Sequence, residues 1–358
     1  MTTPREESIP PFAPAPVLGH RHVQTFWGRL TRPRLLVPLR RESLPTPDGD
    51  ELILDHLDGP PGAPRVLLLH GLEGSAHSVY VQGLLALLRQ RGLRAVAVNF
   101  RSCARALPDL GRNIPNRGAR LYHSGETTDF DHVLRSLLPA EPGVPHAAIG
   151  VSLGGNVLLK WLGENPGQDR LAAAATISVP YDLEAGARKL EKGLGPVYTA
   201  TFLRGLRRKA RQLLRRHPEA AARFDVARMR TARTFFEFDD AVTGPLHGFR
   251  GAKHYYDTSS SVNWVSRITT PALCLSAEDD PFLPAAVLDR VAANASGAVR
   301  LVATRHGGHT GFIAGPSPFR VRYWAEERAV EFVAGRLAAL PAGAGPSQGR
   351  PGRSAATS

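Results

Sequence analysis

The sequence predicts an α/β protein in which a mostly parallel, doubly wound sheet is covered by helices on both faces. Short and nearly continuous apolar runs recur along the chain, at residues 66–69, 95–100, 147–151, 172–179, 272–277 and 298–303. Segments with the helical spacing of apolar residues alternate with these runs, at residues 79–91, 128–138, 153–164, 285–295 and 323–337. Apolar strands that alternate with helices are typical of a parallel sheet buried on both faces.

Composition excludes several classes of protein. The chain has 358 residues, of which 42% are hydrophobic and 22% are charged, as is usual for globular domains. No apolar run reaches the roughly 18 residues of a membrane span, and the first residues lack the apolar core of a secretory signal. Cys103 and Cys274 are the only cysteines, so no disulfide framework is indicated. We therefore expect a cytoplasmic location.

Three regions depart from the alternation of strands and helices. Residues 1–16 are expected to form an irregular leader, and residues 340–358, rich in Gly, Pro, Ala and Ser, a disordered tail; the folded domain then spans residues 17–339. Residues 35–57 predict a hairpin that turns at Gly49. Residues 182–262 contain no convincing strand, which predicts a helical insertion above the carboxyl ends of the strands, where it could act as a lid.

A candidate nucleophile lies between a predicted strand and a predicted helix. Gly150-Val151-Ser152-Leu153-Gly154 matches the Gly-x-Ser-x-Gly pattern in which a serine occupies a strained strand-to-helix turn. Glycine suits the positions two residues before and after the serine, because larger side chains there would collide with neighbouring backbone. The pattern alone is common, and its position after a strand and before a helix makes it specific.

A serine hydroxyl needs a base to accept its proton, and an acid and a histidine follow in the order usual for serine hydrolases. We favour Asp280 as the acid, because it precedes Pro284 by four positions, and keep Asp279 as the alternative; Glu278 is less suitable. We favour His309 over His306 as the base, because the glycine pair before it lets the loop approach the serine.

Backbone amides must also stabilise the negative oxygen of a tetrahedral intermediate. The amide of Leu153, directly after the nucleophile, predicts one donor. The loop His70-Gly71-Leu72-Glu73-Gly74 follows an early strand, and we assign the second donor to the amide of Leu72. His70 is interpreted as a support for this loop and not as the base.

Together these segments resemble the YheT-type branch of the α/β hydrolases, which includes the EMB8-like proteins of plants and the ABHD1/ABHD3-like proteins of animals. The matching motifs lie at residues 20–25, 70–74, 121–127, 150–154, 238–240, 279–282 and 307–312. The resemblance implies the α/β-hydrolase fold, a triad of Ser152, Asp280 and His309, activity on short- to medium-chain acyl esters or lipids, and no metal or organic cofactor. The chain departs from the family at Arg101-Ser102-Cys103-Ala104 and at an apparent insertion near residues 105–114.

Two features raise the possibility of an anionic partner, either nucleic acid or a membrane surface. They are the net charge of +13 and the basic helix predicted at residues 201–217. Five of the 45 basic residues are lysines, and no nucleic-acid-binding motif accompanies the charge, so nucleic acid is not expected. The helix carries Phe202, Leu203, Leu206, Ala210, Leu213 and Leu214 at helical spacing, with its arginines and Lys209 around the remainder. It could pack on the body as a lid, or lie on a membrane surface. Acyl transfer on the same scaffold and a non-catalytic, membrane-associated binding protein remain alternatives to hydrolysis.

Overall fold

The computed structural model describes residues 9–33 and 36–340, so most of the expected tail and the first half of the expected leader lie outside the described residues. The strands are β1 (Arg40–Pro45), β2 (Glu51–Leu57), β3 (Arg65–Leu69), β4 (Arg94–Asn99), β5 (His146–Val151), β6 (Ala173–Ile177), β7 (Ala272–Ala277), β8 (Val299–Thr304), β9 (Ile313–Ser317) and β10 (Arg320–Tyr323). The α-helices are α1 (Arg21–Thr31), α2 (Val79–Gln90), α3 (Thr128–Leu137), α4 (Leu153–Glu164), α5 (Leu183–Lys189), α6 (Gly195–Arg216), α7 (Val226–Thr231), α8 (Phe235–Phe238), α9 (Gly244–Leu246), α10 (Ala252–Ser259), α11 (Ala286–Asn294) and α12 (Trp324–Ala338).

The first eight strands form one sheet in the order β1-β2-β4-β3-β5-β6-β7-β8. The hairpin β1–β2 is antiparallel and joins β4 antiparallel, whereas the pairs from β4 through β8 are parallel. The strand order reverses beside β3 and β5, which opens a crevice above their carboxyl ends. The predicted fold class and the predicted hairpin are therefore confirmed.

The central strands β3 to β7 are buried on both faces, which explains why they are nearly continuous apolar runs. In β3, Leu67 and Leu69 point into a core shared with α3, α4 and α11. Val66 and Leu68 point to the opposite face, where α2 and α12 cover the sheet. Because successive side chains of a strand alternate between faces, both sets must be apolar.

Between β6 and β7 the chain forms the helices α5 to α10, which carry their own small core. Leu203, Ala210 and Leu213 of the long helix α6 are buried in that core, so its apolar stripe packs on the protein. One part of the predicted pattern is wrong. Lys209, expected on the solvated side with the arginines, has a side chain that is 0% exposed.

Two elements had no counterpart in the sequence analysis. The helix α1 precedes the sheet, and the antiparallel hairpin β9–β10 follows it. The backbone amide of Ile313 donates to the side chain of Gln24, which joins these two elements. Among the described residues, no helix combines the length and the apolar character that crossing a membrane requires.

Candidate active site

The turn after β5 holds Ser152 in a backbone conformation that non-glycine residues rarely adopt, with φ 53° and ψ −120°. Its two flanking glycines are required by space. A Cβ on Gly150 would lie 2.6 Å from the carbonyl oxygen of Gly154, and a Cβ on Gly154 would lie 2.3 Å from the carbonyl oxygen of Leu69. The close approach of this turn to β3 therefore presents the serine at the carboxyl edge of the sheet.

Three polar side chains from this edge form a continuous hydrogen-bonded chain. The Oγ of Ser152 lies 2.9 Å from Nε2 of His309, and Nδ1 of His309 lies 2.9 Å from Oδ2 of Asp280. His309 and Asp280 are buried, whereas Ser152 is half-buried. With a proton on Nδ1 shared with the carboxylate, Nε2 faces the hydroxyl as a proton acceptor, so the arrangement can activate the serine.

The neighbouring acid and base candidates have other contacts. The carboxylate of Asp279 accepts from the amide of Gly308 at 2.9 Å and lies 3.5 Å from Nδ1 of His306. Glu278 has an exposed side chain after β7. The structure thus brings Asp280 and His309, which the spacing favoured, to Ser152.

Two further residues hold His309 in place. Thr25 of α1 accepts a hydrogen bond from the amide of His309 through its Oγ1, at 3.0 Å. The ring of Phe282 stacks on the imidazole, and the amide of Phe282 donates to Oδ1 of Asp280 at 2.7 Å. Sequence reasoning did not assign these roles. Thr25 lay within a family motif, and Phe282 within the acid loop.

The loop after β3 is held on both sides of Leu72. The amide of Gly71 donates to the hydroxyl of Tyr80 at 2.7 Å, and the amide of Glu73 donates to the hydroxyl of Tyr122 at 2.8 Å. In contrast, the amides of Leu72 and Leu153 donate to no acceptor within the described parts of the chain. These two amides are therefore available to a ligand oxygen.

His70 supports this loop from beneath. Its Nδ1 donates to the carbonyl oxygen of Gly71 at 2.8 Å, and its Nε2 accepts from the amide of Phe100 at 3.1 Å. Burial lowers the pKa of His70 to about 3, so the ring is neutral and both nitrogens are occupied. This agrees with its interpretation as a structural residue.

A cavity of about 950 Å³ opens beside Ser152 and His309. It is walled by aromatic side chains: Phe26, Tyr198, Phe202, Phe235, Tyr255 and Phe282. It also has a basic side, to which Arg204, Arg208 and Arg211 of α6 contribute.

Arg105 and Leu110 belong to the apparent insertion near residues 105–114, and both line the cavity. This departure from the family pattern therefore shapes access to the site.

A buried carboxyl group lies in the cavity wall. Asp239 accepts hydrogen bonds from the hydroxyl groups of Tyr256 at 2.8 Å and Thr243 at 2.6 Å. Burial outweighs these bonds and raises the pKa of Asp239 to about 6. It lies where α8 passes into a π-helical turn at Asp239–Thr243, and its bond to Tyr256 ties this turn to α10.

Nothing in the described ranges places three or more His, Cys, Asp or Glu side chains where they could hold a metal ion. The rings of His20 and His22 lie 5.4 Å apart, and Nδ1 of His22 lies 2.9 Å from the hydroxyl of Tyr198. His22 is thus one of the polar contacts between α1 and α6.

Solved structures of esterases share this architecture. An esterase from Exiguobacterium antarcticum superposes with a TM-score of 0.52 at 15% identity, covering 84% of this chain and 100% of that one. The Pyrococcus furiosus esterase Pf2001 gives a TM-score of 0.51 at 16% identity, covering 83% and 92%. At such low identity these likenesses establish the fold alone.

Sequence relatives give the family. The profile of the alpha/beta hydrolase fold matches residues 64–316. YheT of Escherichia coli (strain K12), named as a candidate esterase, is 34% identical over 90% of this chain and 92% of its own. EMB8 of Picea glauca is 29% identical over 90% and 72%, and phospholipase ABHD3 of Mus musculus is 30% identical over 86% and 77%. The chain belongs to the α/β-hydrolase family, in the branch that contains YheT, EMB8 and ABHD3.

Proposed function

We propose that this hydrolase is a serine carboxylic ester hydrolase that works through an acyl-serine intermediate. The observation that carries the proposal is the unbroken chain of contacts from Ser152 through His309 to Asp280, with 2.9 Å at each step. The names of the relatives, an esterase candidate, a phospholipase and monoacylglycerol lipases, support ester substrates.

In the proposed mechanism, Oγ of Ser152 attacks the acyl carbonyl while Nε2 of His309 takes its proton. Asp280 holds the imidazole in the required tautomer and stabilises its positive charge. The amides of Leu72 and Leu153 donate to the negative oxygen, and His309 passes its proton to the departing alcohol. Water activated by His309 then releases the acid and restores the serine.

The cavity supports short- to medium-chain acyl groups or lipids as substrates. Its aromatic wall offers apolar surface to an acyl chain, and about 950 Å³ is in the range of sites for small organic molecules. We propose further that the segment α5 to α10 is a lid. It lies between β6 and β7, and α6 lines the cavity beside Ser152.

The proposal is tested with p-nitrophenyl esters of increasing chain length, with purified Ser152→Ala protein as the blank. We expect wild-type turnover to exceed that of the variant by several orders of magnitude, since loss of a triad nucleophile has cost about 10⁶-fold elsewhere. Equal turnover by the variant would contradict the assignment of Ser152. Adding alcohol or thiol acceptors distinguishes hydrolysis from acyl transfer by the products that form.

A further inference from the structure

The ammonium group of Lys209 is buried although it lies on α6, a helix rich in arginine. Its side chain is 0% exposed, whereas Arg208 beside it is exposed. A buried charge is costly unless it is paired and hydrogen-bonded. Lys209 must therefore have partners that compensate for its removal from water.

Those partners come from the core of the hydrolase and not from the other helices between β6 and β7. Nζ of Lys209 lies 2.6 Å from Oε1 of Glu73 and 2.9 Å from Sγ of Cys103, and it lies 4.7 Å from the centre of the Tyr122 ring. Burial raises the pKa of the Cys103 thiol, which favours its neutral form. The carboxylate of Glu73 is thus the anion that pairs with the ammonium group.

The helix is shaped to receive this carboxylate. Gly205 lies one turn before Lys209, and a Cβ at Gly205 would lie 2.2 Å from Oε2 of Glu73. The missing side chain leaves a notch into which the carboxylate fits, and Lys209 closes it. Helix α6 therefore docks on Glu73 through two residues of one face.

Glu73 is joined directly to Leu72, whose amide is the proposed oxyanion donor. Its backbone has φ 58°, a left-handed conformation that must be held by its surroundings. The hydroxyl of Tyr122 accepts from the amide of Glu73 at 2.8 Å and donates to its Oε1 at 2.9 Å. Lys209 binds the same carboxylate oxygen and completes the clamp on this strained residue.

We infer that Lys209 is a positioning residue of the ester hydrolase. Through Glu73 it holds the Leu72 amide in the orientation that binds the developing oxyanion, so that the site is complete only when α6 is docked. This inference rests on the proposed function. A stabilising role explains the pair less well, because apolar side chains of similar volume are often as stabilising as a buried ion pair.

The test compares full-length Lys209→Met and Glu73→Gln/Lys209→Met with wild type. Lys192→Met is the matched control, because Lys192 is exposed. The readouts are kcat and KM for a p-nitrophenyl ester, the rate at which a fluorophosphonate labels Ser152, and the midpoint of thermal unfolding. kcat is expressed per labelled serine, so that unfolded molecules do not count.

We expect Lys209→Met to lower kcat about 10- to 100-fold with little change in KM, since losing one oxyanion donor costs about 10²- to 10³-fold. Its labelling rate should fall in parallel, and its unfolding midpoint should fall because Glu73 is left unpaired. The double variant should regain the midpoint of unfolding but not kcat. Lys192→Met should match wild type throughout.

If the double variant recovers both kcat and the midpoint of unfolding, the inference is overturned and the role of Lys209 is structural only. An unchanged kcat in Lys209→Met would also overturn the inference. If wild type labels but hydrolyses no ester, the proposed function fails, and the labelling rates of the variants still decide the role of Lys209. If wild-type Ser152 does not label at all, both proposals fall.

Discussion

The ring of Phe282 stacks on the imidazole of His309, with 4.1 Å between the ring centroids and 17° between the ring planes. The side chain of Phe282 therefore limits rotation of His309, while its amide fixes Asp280. One residue thus restrains both partners of the serine. Such a restraint bears on catalysis, because catalytic rates are sensitive to small displacements of the reacting groups.

Replacing Phe282 by Leu is expected to lower kcat about 10-fold, because the imidazole gains rotational freedom and a misplacement of about 1 Å can cost 10²-fold. Phe202→Leu is the control. Phe202 also lines the cavity, but its ring packs edge-on against Phe282, with 5.9 Å between the ring centroids, whereas Phe282 is the ring that stacks on His309. Steady-state kinetics should show a change mainly in KM for the control. Equal losses of kcat in the two variants would contradict a specific role for the stacked ring.

Thr25→Val should leave the amide of His309 without an acceptor. An unsatisfied buried donor costs about 1–3 kcal/mol, so we expect a lower free energy of unfolding and about a tenfold loss of kcat. Thr25→Ser keeps the hydroxyl, so its free energy of unfolding and its kcat should both stay close to those of wild type, because the hydrogen bond is preserved. Urea denaturation and ester turnover measure the two effects. A serine variant as impaired as the valine variant would point to packing of the methyl group instead.

Gly154→Ala is expected to prevent correct formation of the turn at Ser152, because the added Cβ would lie 2.3 Å from the carbonyl oxygen of Leu69. Activity should be lost together with thermal stability. Gly335→Ala is the matched control: Gly335 lies in α12, and a Cβ there meets nothing within 4 Å. The control should gain up to about 1 kcal/mol from helix propensity. A fully active Gly154→Ala protein would contradict the close approach of the two backbones.

Asp239 should make the stability of the protein depend on pH. Its pKa, raised to about 6 by burial, exceeds that of an exposed aspartate, so its contribution is present below pH about 4 and is lost as the pH rises through 6. Asp239→Asn removes the titration. The free energy of unfolding of the variant minus that of wild type should therefore increase by up to about 3 kcal/mol as the pH is raised from 4 to 7. Urea denaturation at several pH values measures the difference, and a constant difference would contradict the raised pKa.

Much of the fold could be predicted from the sequence because its signals are local. The strands β3 to β8 are apolar runs bounded by turns, and the Gly-x-Ser-x-Gly pattern needs only five adjacent residues. The spacing to Pro284 and the glycine pair before His309 likewise distinguish Asp280 and His309 from their neighbours. The structure places both side chains in one hydrogen-bonded chain with Ser152.

The residues that were missed depend on contacts between distant segments. Thr25 meets His309 across 284 positions, and Lys209 meets Glu73 across 136 positions. Helical periodicity placed Lys209 among the arginines, since no local pattern reveals the notch at Gly205 or the carboxylate that fills it. Helix α1 was likewise seen only as a family motif, because its role arises from packing on loops at the other end of the chain.

The distance along the chain between Ser152 and His309, 157 positions, has a consequence for refolding. Contacts between such distant segments form slowly, because large loops must close before any favourable contact repays their lost entropy. Helices and local hairpins should therefore appear before enzymatic activity when the denatured protein is returned to native conditions. Until the strands of the sheet have assembled, the hydroxyl of Ser152 has no imidazole beside it that could accept its proton.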